Sequence, residues 1–216
     1  DQSYVLYNLT QHQLAHTIFP LGAYSKTQIR EMAEKQSFCN ARKHDSQDIC
    51  FVPDGDYVGF MEQYTGKRYP SGDFIDENGK KIGTHAGAVR YTIGQRRGLG
   101  LPMGDRVYVC AKDMEKNTVT VGPVESLFAK RVIVRDMNWI SVPELTGEMR
   151  VKAKLRYRQK EQPAVASPLD GGRILLTFDE PQRGPAIGQA AVLYDGDTVV
   201  GGGTICGVPK DEEVCR

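Results

Sequence analysis

Met149-Arg150-Val151-Lys152-Ala153-Lys154-Leu155-Arg156-Tyr157-Arg158 alternates apolar and basic residues without a break. Successive side chains of a β-strand point to opposite faces, so the apolar set would face a core and the basic set would face outward. Outward residues of a strand lie roughly 6.6–6.8 Å apart, and like charges at that spacing repel unless acidic neighbours or an external anion compensate them. The segment therefore predicts a half-buried strand whose outer face is either solvated or bound to an anion such as a nucleic-acid phosphate.

Short strands separated by Gly and Asp turns are expected on both sides of this segment. A hairpin around Asn78-Gly79 is expected within residues 73–82. Further strands are expected at 107–109, 118–121, 131–135, 173–178, 190–194 and 198–200. Their regular spacing predicts a C-terminal antiparallel β-barrel, with Gly122-Pro123 as the boundary in front of it.

The first third of the chain is expected to be helical, which makes the predicted fold class α+β. Thr10 to Gln13 and Ser25 to Gln28 have the sequence of capping boxes, opening helices through Ile18 and to about Gln36. A further short helix is expected to start near Asp54. Helices this short need a larger body to pack on, and the chain starts at Asp1 without a Met. We therefore expect it to be a fragment of a longer protein.

Composition is that of an ordinary globular protein, with 40% hydrophobic and 25% charged residues among 216. No apolar run of membrane-spanning length and no signal segment is present, so a cytoplasmic protein without a membrane partner is expected. The five cysteines, at 39, 50, 110, 206 and 215, form no CxxC pair, which argues against a zinc site or a secreted disulfide framework. The net charge is only +1, but residues 80–97 and 149–160 are basic and contain no acid.

The first of these basic regions runs into a glycine-rich loop, Tyr91-Thr92-Ile93-Gly94-Gln95-Arg96-Arg97-Gly98-Leu99-Gly100, preceded by Arg90. Its glycines permit tight turns and close approach of a ligand, and paired arginines suit phosphate or base-edge contacts. The loop has neither the GK[ST] ending of a Walker A motif nor a clean GxGxxG. A hairpin turn with solvated arginines is the alternative interpretation.

Cys50 is the candidate catalytic thiol. A thiol reacts as the thiolate, which nearby positive charge stabilises. Lys43 and His44 would supply such charge, although Asp45 and Asp48 oppose it. The alternative is a small buried hydrophobe beside Ile49 and Phe51, since free cysteines are among the most buried residues.

No metal site is predicted. His12 and His16 have the i, i+4 spacing of a helical metal pair, but no glutamate or third ligand accompanies them. Both are interpreted as surface or packing histidines.

Three stretches together resemble the bacterial tRNA-specific 2-thiouridylase family (MnmA, also called TrmU). They are Asp1-Gln2-Ser3-Tyr4, His44-Asp45-Ser46-Gln47-Asp48-Ile49-Cys50-Phe51 and the glycine-rich loop from Tyr91 to Gly100. Arg156-Tyr157-Arg158-Gln159, Gly188-Gln189 and a Gly201-Gly202-Gly203 turn resemble the same family. The resemblance runs along nearly the whole chain in the right order.

The resemblance implies 2-thiolation of the wobble uridine of certain tRNAs, with ATP adenylating the C2 oxygen. Sulfur would arrive as a persulfide on Cys50 from a cysteine desulfurase or a sulfur-relay protein. A second cysteine, earlier in the family's sequence, would then form a disulfide with Cys50. The family's SGGVDS-like ATP loop and that second cysteine are absent from this chain. We therefore expect a central and C-terminal portion that neither binds ATP nor turns over alone.

The resemblance also implies a domain division and a set of RNA contacts. Residues 1–55 would be the short helical tail of an adenylating α/β domain, 56–124 a small β-rich central domain and 125–216 the β-barrel. The positions that match tRNA contacts of the family are Asp1, Gln2, Arg156, Tyr157 and Gln189. Arg90, Arg96, Arg97 and Arg158 are further candidates from charge alone. With tRNA as partner the phosphate-bound interpretation of the basic strand is favoured, and DNA is not expected.

Two hypotheses of other classes remain beside the enzyme. One is a stand-alone RNA-binding β-barrel without chemistry, distinguished by slow, uniform labelling of all its thiols. The other is a protein-interaction module that docks a sulfur donor and has no affinity for tRNA.

Overall fold

A computed structural model describes residues 2–43, 52, 55–101 and 106–209 of the chain. The chain divides into two units. One holds the residues up to Gln11 together with those from Tyr69 onward, and the other spans His12–Arg68.

The regular secondary structure described in the second unit is helical. Helix α2 spans Gln11–Ala15, α3 spans Lys26–Lys35 and α4 spans Tyr57–Thr65. The predicted capping box of α3 is confirmed, because the Ser25 amide donates to Gln28 Oε1 at 2.8 Å and the Gln28 amide donates to Ser25 Oγ. Helix α2 ends three residues before the predicted Ile18, where the Thr17 hydroxyl donates to the Gln13 carbonyl at 2.6 Å.

A four-stranded mixed sheet follows in the first unit. Its strands are β1 (Gly72–Ile75), β2 (Lys81–His85), β3 (Tyr108–Asp113) and β4 (Thr118–Gly122), in the order β2-β1-β4-β3. The predicted hairpin and the predicted pairing of β3 with β4 are both confirmed, and the two hairpins join through parallel β1 and β4. Phe74, Val109 and Val119 are fully buried between the sheet and the glycine-rich loop residues Tyr91 and Leu99.

The rest of the first unit is a closed six-stranded barrel, which confirms the predicted α+β class with a C-terminal barrel. Its strand order is β10-β5-β8-β7-β6-β9, and every pair is antiparallel. The strands are β5 (Phe128–Trp139), β6 (Met149–Lys154), β7 (Gln162–Leu169), β8 (Arg173–Arg183), β9 (Ala190–Asp195) and β10 (Thr198–Gly207).

The barrel is held together by alternating apolar side chains that fill its interior. Val134, Leu176, Phe178, Leu193 and Ile205 are completely buried. Burial of each such side chain contributes about 1.5–3 kcal/mol. Six strands that each place alternate residues inside thus produce one continuous core.

The N-terminal segment packs on the outside of this barrel. Helix α1 (Ser3–Leu6) opens the segment. Asn138 Nδ2 then donates to the carbonyls of Tyr7 and Leu9, at 2.5 and 3.0 Å, and Gln11 Nε2 donates to the Ile140 carbonyl at 2.8 Å. A Cβ atom on Gly202 would lie 2.6 Å from the Tyr7 ring, so the missing side chain makes room for that ring.

Three sequence-based expectations need correction. Strand β6 stops at Lys154, because its antiparallel pairing with β7 places Ala153 opposite Gln162 and the chain must reverse between them. Gly201-Gly202-Gly203 lies within strand β10 and is not a turn. Strand β7 was not predicted, since Pro163 and Pro168 obscure its alternation.

Candidate nucleic-acid interface

The predicted basic ladder of residues 150–158 is only partly a ladder. Arg150 and Lys152 do face outward from β6, whereas Lys154 is only 8% exposed. The Lys154 ammonium lies 3.4 Å from Glu161 and 4.9 Å from the centre of the Tyr194 ring. The expectation that Lys154 faces solvent beside the others is therefore wrong, because an acid and an aromatic ring enclose it.

Arg150 also has an acidic partner within the chain. Both terminal nitrogens of its guanidinium donate to the carboxylate of Asp179 on β8, one of them at 2.7 Å. This pairing holds the pKa of Asp179 below its usual range. Two of the five basic residues thus have acids beside them, which leaves Lys152, Arg156 and Arg158 as the better candidates for an external anion.

Arg156 and Tyr157 lie in the turn that links β6 to β7, and not in a strand as predicted. The Leu155 amide donates to Gln159 Oε1 at 3.1 Å, and Gln159 Nε2 donates to Gln182 Oε1 at 2.7 Å. A guanidinium nitrogen of Arg156 donates to the Gly184 carbonyl. The turn is therefore bonded at three points, and it presents Tyr157 and Arg158 to solvent.

The N-terminal helix α1 lies against this turn. The Tyr4 ring meets the Tyr157 ring edge-on, with 6.1 Å between centroids. The Tyr4 hydroxyl donates to the Ala190 carbonyl at 2.8 Å, and Ser3 Oγ lies 3.2 Å from the Tyr194 hydroxyl. Burial raises the pKa of Tyr4 to about 12, with smaller contributions from Tyr7 and Tyr194. Gln2, next to this helix, is exposed.

Gln189 lies one residue before the Ala190 carbonyl that Tyr4 binds. Its carbonyl accepts from the Ile205 amide at 2.8 Å, and its side-chain Oε1 is buried without a hydrogen-bond partner among the described residues. Four positions singled out from the sequence, Gln2, Arg156, Tyr157 and Gln189, therefore lie around one residue, Tyr4. Sequence reasoning did not assign a role to Tyr4, although it stands inside the quoted Asp1–Tyr4 stretch.

The tripeptide Ile-Gly-Gln occurs twice, at 93–95 and 187–189, with the same backbone bonding. The Gly94 amide donates to Val109 at 2.8 Å, and Val109 donates back to Gln95 at 2.9 Å. In the same way the Gly188 amide donates to the Ile205 carbonyl, and the Ile205 amide donates back to the Gln189 carbonyl, both at 2.8 Å. Both glycines have φ near +90°, at 86° and 88°, which favours glycine. Each tripeptide thus fixes a loop to a neighbouring strand.

The arginines in and just before the glycine-rich loop lie in different environments. Arg96 and Arg97 are exposed on the glycine-rich loop, whose Gln95 side chain bonds to Thr92 and Arg97. Arg90 ends a single 3-10 turn, and its Nε donates to the Ala86 carbonyl at 3.0 Å. Ile93 of this loop approaches Gly184, which also accepts from Arg156. The loop therefore reaches the barrel beside the Arg156 turn.

Two open clefts flank that turn. The larger measures about 450 Å³ and is lined by Phe128, Arg156, Arg158, Gln162, Gln182 and Arg183, among others. The smaller measures about 340 Å³ and is lined by Lys152, Lys154, Gln159, Lys160 and Glu161. Gln159 lines both clefts. Phe128, Gln182 and Arg183 had no sequence signal, because only the pairing of β5 with β8 brings them together.

Cys50 and Asp1 lie outside the described residues. Among the described cysteines Cys39 is exposed, whereas Cys110 and Cys206 are half-buried. Burial, together with the charge of Glu77, raises the pKa of the Cys110 thiol to about 11. The Cys110 thiol is therefore less readily deprotonated than an ordinary cysteine.

No group of three His, Cys, Asp or Glu side chains gathers around a possible metal position in residues 2–43, 52, 55–101 and 106–209. The His12 and His16 rings lie 4.3 Å apart, and His16 Nδ1 bonds to the His12 carbonyl at 2.7 Å. In the part of the chain that the structure describes, no helix is long and apolar enough to pass through a membrane.

Three family models match successive parts of the chain. Residues 1–54 match the tRNA methyl transferase HUP domain, residues 58–123 the tRNA methyl transferase PRC-barrel domain, and residues 129–205 the aminomethyltransferase beta-barrel domain.

Curated relatives match along nearly all of the chain. The tRNA-specific 2-thiouridylase MnmA 1 of Thermoanaerobacter sp. (strain X514) is 49% identical over 95% of this chain and 56% of its own length. The MnmA proteins of Acetivibrio thermocellus and Clostridioides difficile (strain 630) are 47% and 45% identical, again over 95% of this chain and 57% of their own length. The chain thus spans somewhat more than half the length of these relatives.

Proposed function

The chain belongs to the family of tRNA-specific 2-thiouridylases. We therefore propose that it binds tRNA as part of an enzyme that replaces the C2 oxygen of the wobble uridine with sulfur. Since the chain spans about 56% of a relative's length, this activity is proposed for the whole protein. The tRNA-binding role is proposed for the residues described here.

The observation that carries the proposal is the convergence around Tyr4. This one side chain contacts the Tyr157 ring and the backbone beside Gln189. Arg156 is close enough to lower the Tyr4 pKa slightly, against the larger effect of burial. Residues from three distant parts of the sequence thus form one surface, which is what a binding site for a large ligand needs.

The chemistry of this surface suits RNA. Tyr157 is 46% exposed, so its ring is free to stack on an unpaired base. Arg158 and Lys152 point outward beside it and can neutralise phosphates. Gln189 is half-buried at this surface, and its Oε1 is buried without a hydrogen-bond partner among the described residues. We propose that tRNA specificity comes from the shape of the RNA and its unstacked bases.

We propose that Cys50 carries the sulfur, as the family resemblance implies. The outer sulfur of a Cys50 persulfide would leave when a second cysteine's thiolate attacks the inner sulfur, forming a disulfide with Cys50 and releasing hydrosulfide at the uridine. Neither Cys39 nor Cys110 is proposed as that second cysteine. A cysteine desulfurase or a sulfur-relay protein is the proposed donor, in the cytoplasm.

We propose that ATP, the family's co-substrate, does not bind to the residues described here. The glycine-rich loop is the obvious place to test, but its Gly94 amide is already bonded to Val109. Among the described residues, the next element after the loop is strand β3 and not a helix, whose N-terminus is the usual cradle for phosphates. We therefore propose that ATP binds elsewhere in the whole protein. The division at residues 55 and 124 also stays a proposal.

The tRNA-binding role is tested by measuring the affinity for labelled tRNA by fluorescence anisotropy across a salt series. A tRNA that carries 2-thiouridine in the cell is compared with one that does not. Replacing both Arg156 and Arg158 with alanine should weaken binding and lower the salt slope by about two.

Arg173→Ala is the matched control, because Arg173 opens strand β8 whereas Arg183, beside the site, closes it. It should leave affinity and slope unchanged. An unchanged slope in the Arg156 and Arg158 variant, with its unfolding temperature intact, would show that this surface is only solvated.

A further inference from the structure

We propose that the 450 Å³ cleft between β5, β8 and the Arg156 turn holds a single unpaired nucleotide of the bound RNA, with its base against Phe128 and its phosphate at Arg158 and Arg183. The inference rests on the proposed tRNA-binding function and adds a second contact region to it. The cleft is separate from the Tyr4 surface and borders it through Arg156.

Phe128 supplies the stacking surface. It begins strand β5 at the rim of the barrel and is 47% exposed, although phenylalanine is normally buried in a strand. An exposed aromatic ring beside cationic groups is the arrangement that binds single-stranded nucleic acid, because every base has a face that can stack.

The charge of the cleft favours an anion. Arg156, Arg158 and Arg183 line it, against the single acid Glu180. Arg183 stands directly opposite Phe128 in the β5–β8 pairing, and its guanidinium lies 5.7 Å from the centre of the Tyr108 ring. Tyr108 thereby restrains Arg183, so little side-chain entropy is lost when a phosphate binds.

Amide groups form the polar wall of the cleft. Gln182 is only 5% exposed, and its amide accepts from Gln159 and donates to the Glu180 carbonyl, both at 2.7 Å. These two bonds fix the side chain while one amide hydrogen of Gln182 stays available, since an amide nitrogen carries two. Gln162 lines the same cleft. Fixed amides next to an aromatic ring can recognise the edge of a base that stacks there.

The size and position of the cleft determine what can bind in it. A volume of about 450 Å³ lies within the range of sites for small organic groups. A duplex does not enter a space of that size, whereas a splayed-out nucleotide does, and protein recognition of RNA sequence relies on such nucleotides. RNA that crosses Tyr157 is adjacent to the cleft, because Arg156 borders both.

Binding of an unmodified tRNA transcript to the full chain tests the inference. Phe128→Leu keeps an apolar side chain but removes the aromatic face, and should weaken tRNA binding about tenfold. Phe128→Trp should retain the affinity. Met114→Ala changes an exposed apolar residue of the β3–β4 connection and should have no effect.

A photo-crosslinker placed by Phe128→p-benzoylphenylalanine should label an unpaired nucleotide of the tRNA. Crosslinks confined to base-paired stems, or equal tRNA affinity of Phe128→Leu and the unsubstituted chain, would overturn the cleft assignment and leave the Tyr4 surface standing. If Phe128→Leu weakened binding of free uridine monophosphate but not of tRNA, the cleft would be a mononucleotide site and the RNA assignment would be wrong. Failure of the unsubstituted chain to bind tRNA would overturn both proposals.

Discussion

The Tyr4 hydroxyl donates a 2.8 Å hydrogen bond to the carbonyl oxygen of Ala190, which lies 186 positions further along the chain. Through this bond the N-terminal helix is attached to the barrel strand that follows Gln189. The candidate RNA surface therefore depends on how firmly the segment of residues 2–11 is docked.

Tyr4→Phe should loosen that docking by about 1 kcal/mol, the usual contribution of one such bond. Burial raises the Tyr4 pKa from 10.0 to about 12, so the folded chain favours the neutral phenol. The stabilisation of the folded chain by the neutral Tyr4 phenol should be complete below pH 10 and should be lost as the pH rises from 10 to 12. Amide hydrogen exchange of residues 2–11 is the measurement, with Tyr7→Phe as control. Equal exchange in Tyr4→Phe and the unsubstituted chain would contradict the prediction.

Gly202→Ala should destabilise the first unit. The added Cβ would lie 2.6 Å from the Tyr7 ring and 2.9 Å from the Ala191 carbonyl oxygen. Overpacking of this kind costs about 1–3 kcal/mol. Chemical denaturation measures it, and Gly147→Ala is the control because a Cβ there meets nothing within 4 Å. Unfolding midpoints that agree for the two variants would mean that Tyr7 moves aside freely.

Asp179→Asn should strengthen tRNA binding. Asp179 now neutralises Arg150, and the asparagine would leave that guanidinium available for a phosphate. Affinity should rise severalfold and the salt slope should steepen by about one. Asp170→Asn, in the β7–β8 connection, serves as a control for the general loss of an acid. Weaker binding by Asp179→Asn would show that the ion pair shapes the surface and does not mask it.

The small sheet should lose stability in mild acid through His85. This side chain is 3% exposed, and its Nδ1 accepts from the Gly87 amide at 3.0 Å. Burial lowers the His85 pKa below 6.5, so the neutral ring is favoured in the folded chain. Its contribution is present above pH 6.5 and is lost as the pH falls below the lowered value. His85→Asn keeps an acceptor for Gly87 but cannot titrate, so its thermal unfolding should depend less on pH between 7.5 and about 5. The same pH dependence in both proteins would exclude His85 as its source.

Cys50→Ser in the whole enzyme should abolish 2-thiouridine formation and leave tRNA affinity nearly unchanged. Cys110→Ser should retain thiolation, because the raised pKa of about 11 keeps that thiol protonated at neutral pH. The 2-thiouridine content of the tRNA, measured by nucleoside mass spectrometry, tests both variants. Thiouridine retained by Cys50→Ser would refute the sulfur-carrying role.

Alternation predicted most of the barrel because period-two patterning reports which residues face a core. Leu155 is buried as predicted, but it belongs to the turn after Lys154, so the predicted strand was too long. The pattern also placed Lys154 on the outer face, whereas Lys154 is buried beside Glu161 and Tyr194. Pairing partners of this kind are set by strand register and not by local sequence.

Only part of the candidate site could be predicted from the sequence. Gln2, Arg156, Tyr157 and Gln189 came from family resemblance, and the structure places the described ones around Tyr4. The Phe128 cleft needed the β5–β8 register, which sets Phe128 opposite Arg183. Asp1 and Cys50 stay sequence-based proposals.

Strand β10 has a consequence for the order in which the chain assembles during synthesis. It closes the barrel between β5 and β9, its Ile205 fixes Gly188 and Gln189, and its Gly202 receives the Tyr7 ring. Residues 198–207 leave the ribosome after every other barrel strand. Residues 2–11, which are made before the barrel strands, therefore cannot complete their contact with Gly202 until strand β10 emerges. An incomplete nascent chain consequently lacks the proposed RNA surface.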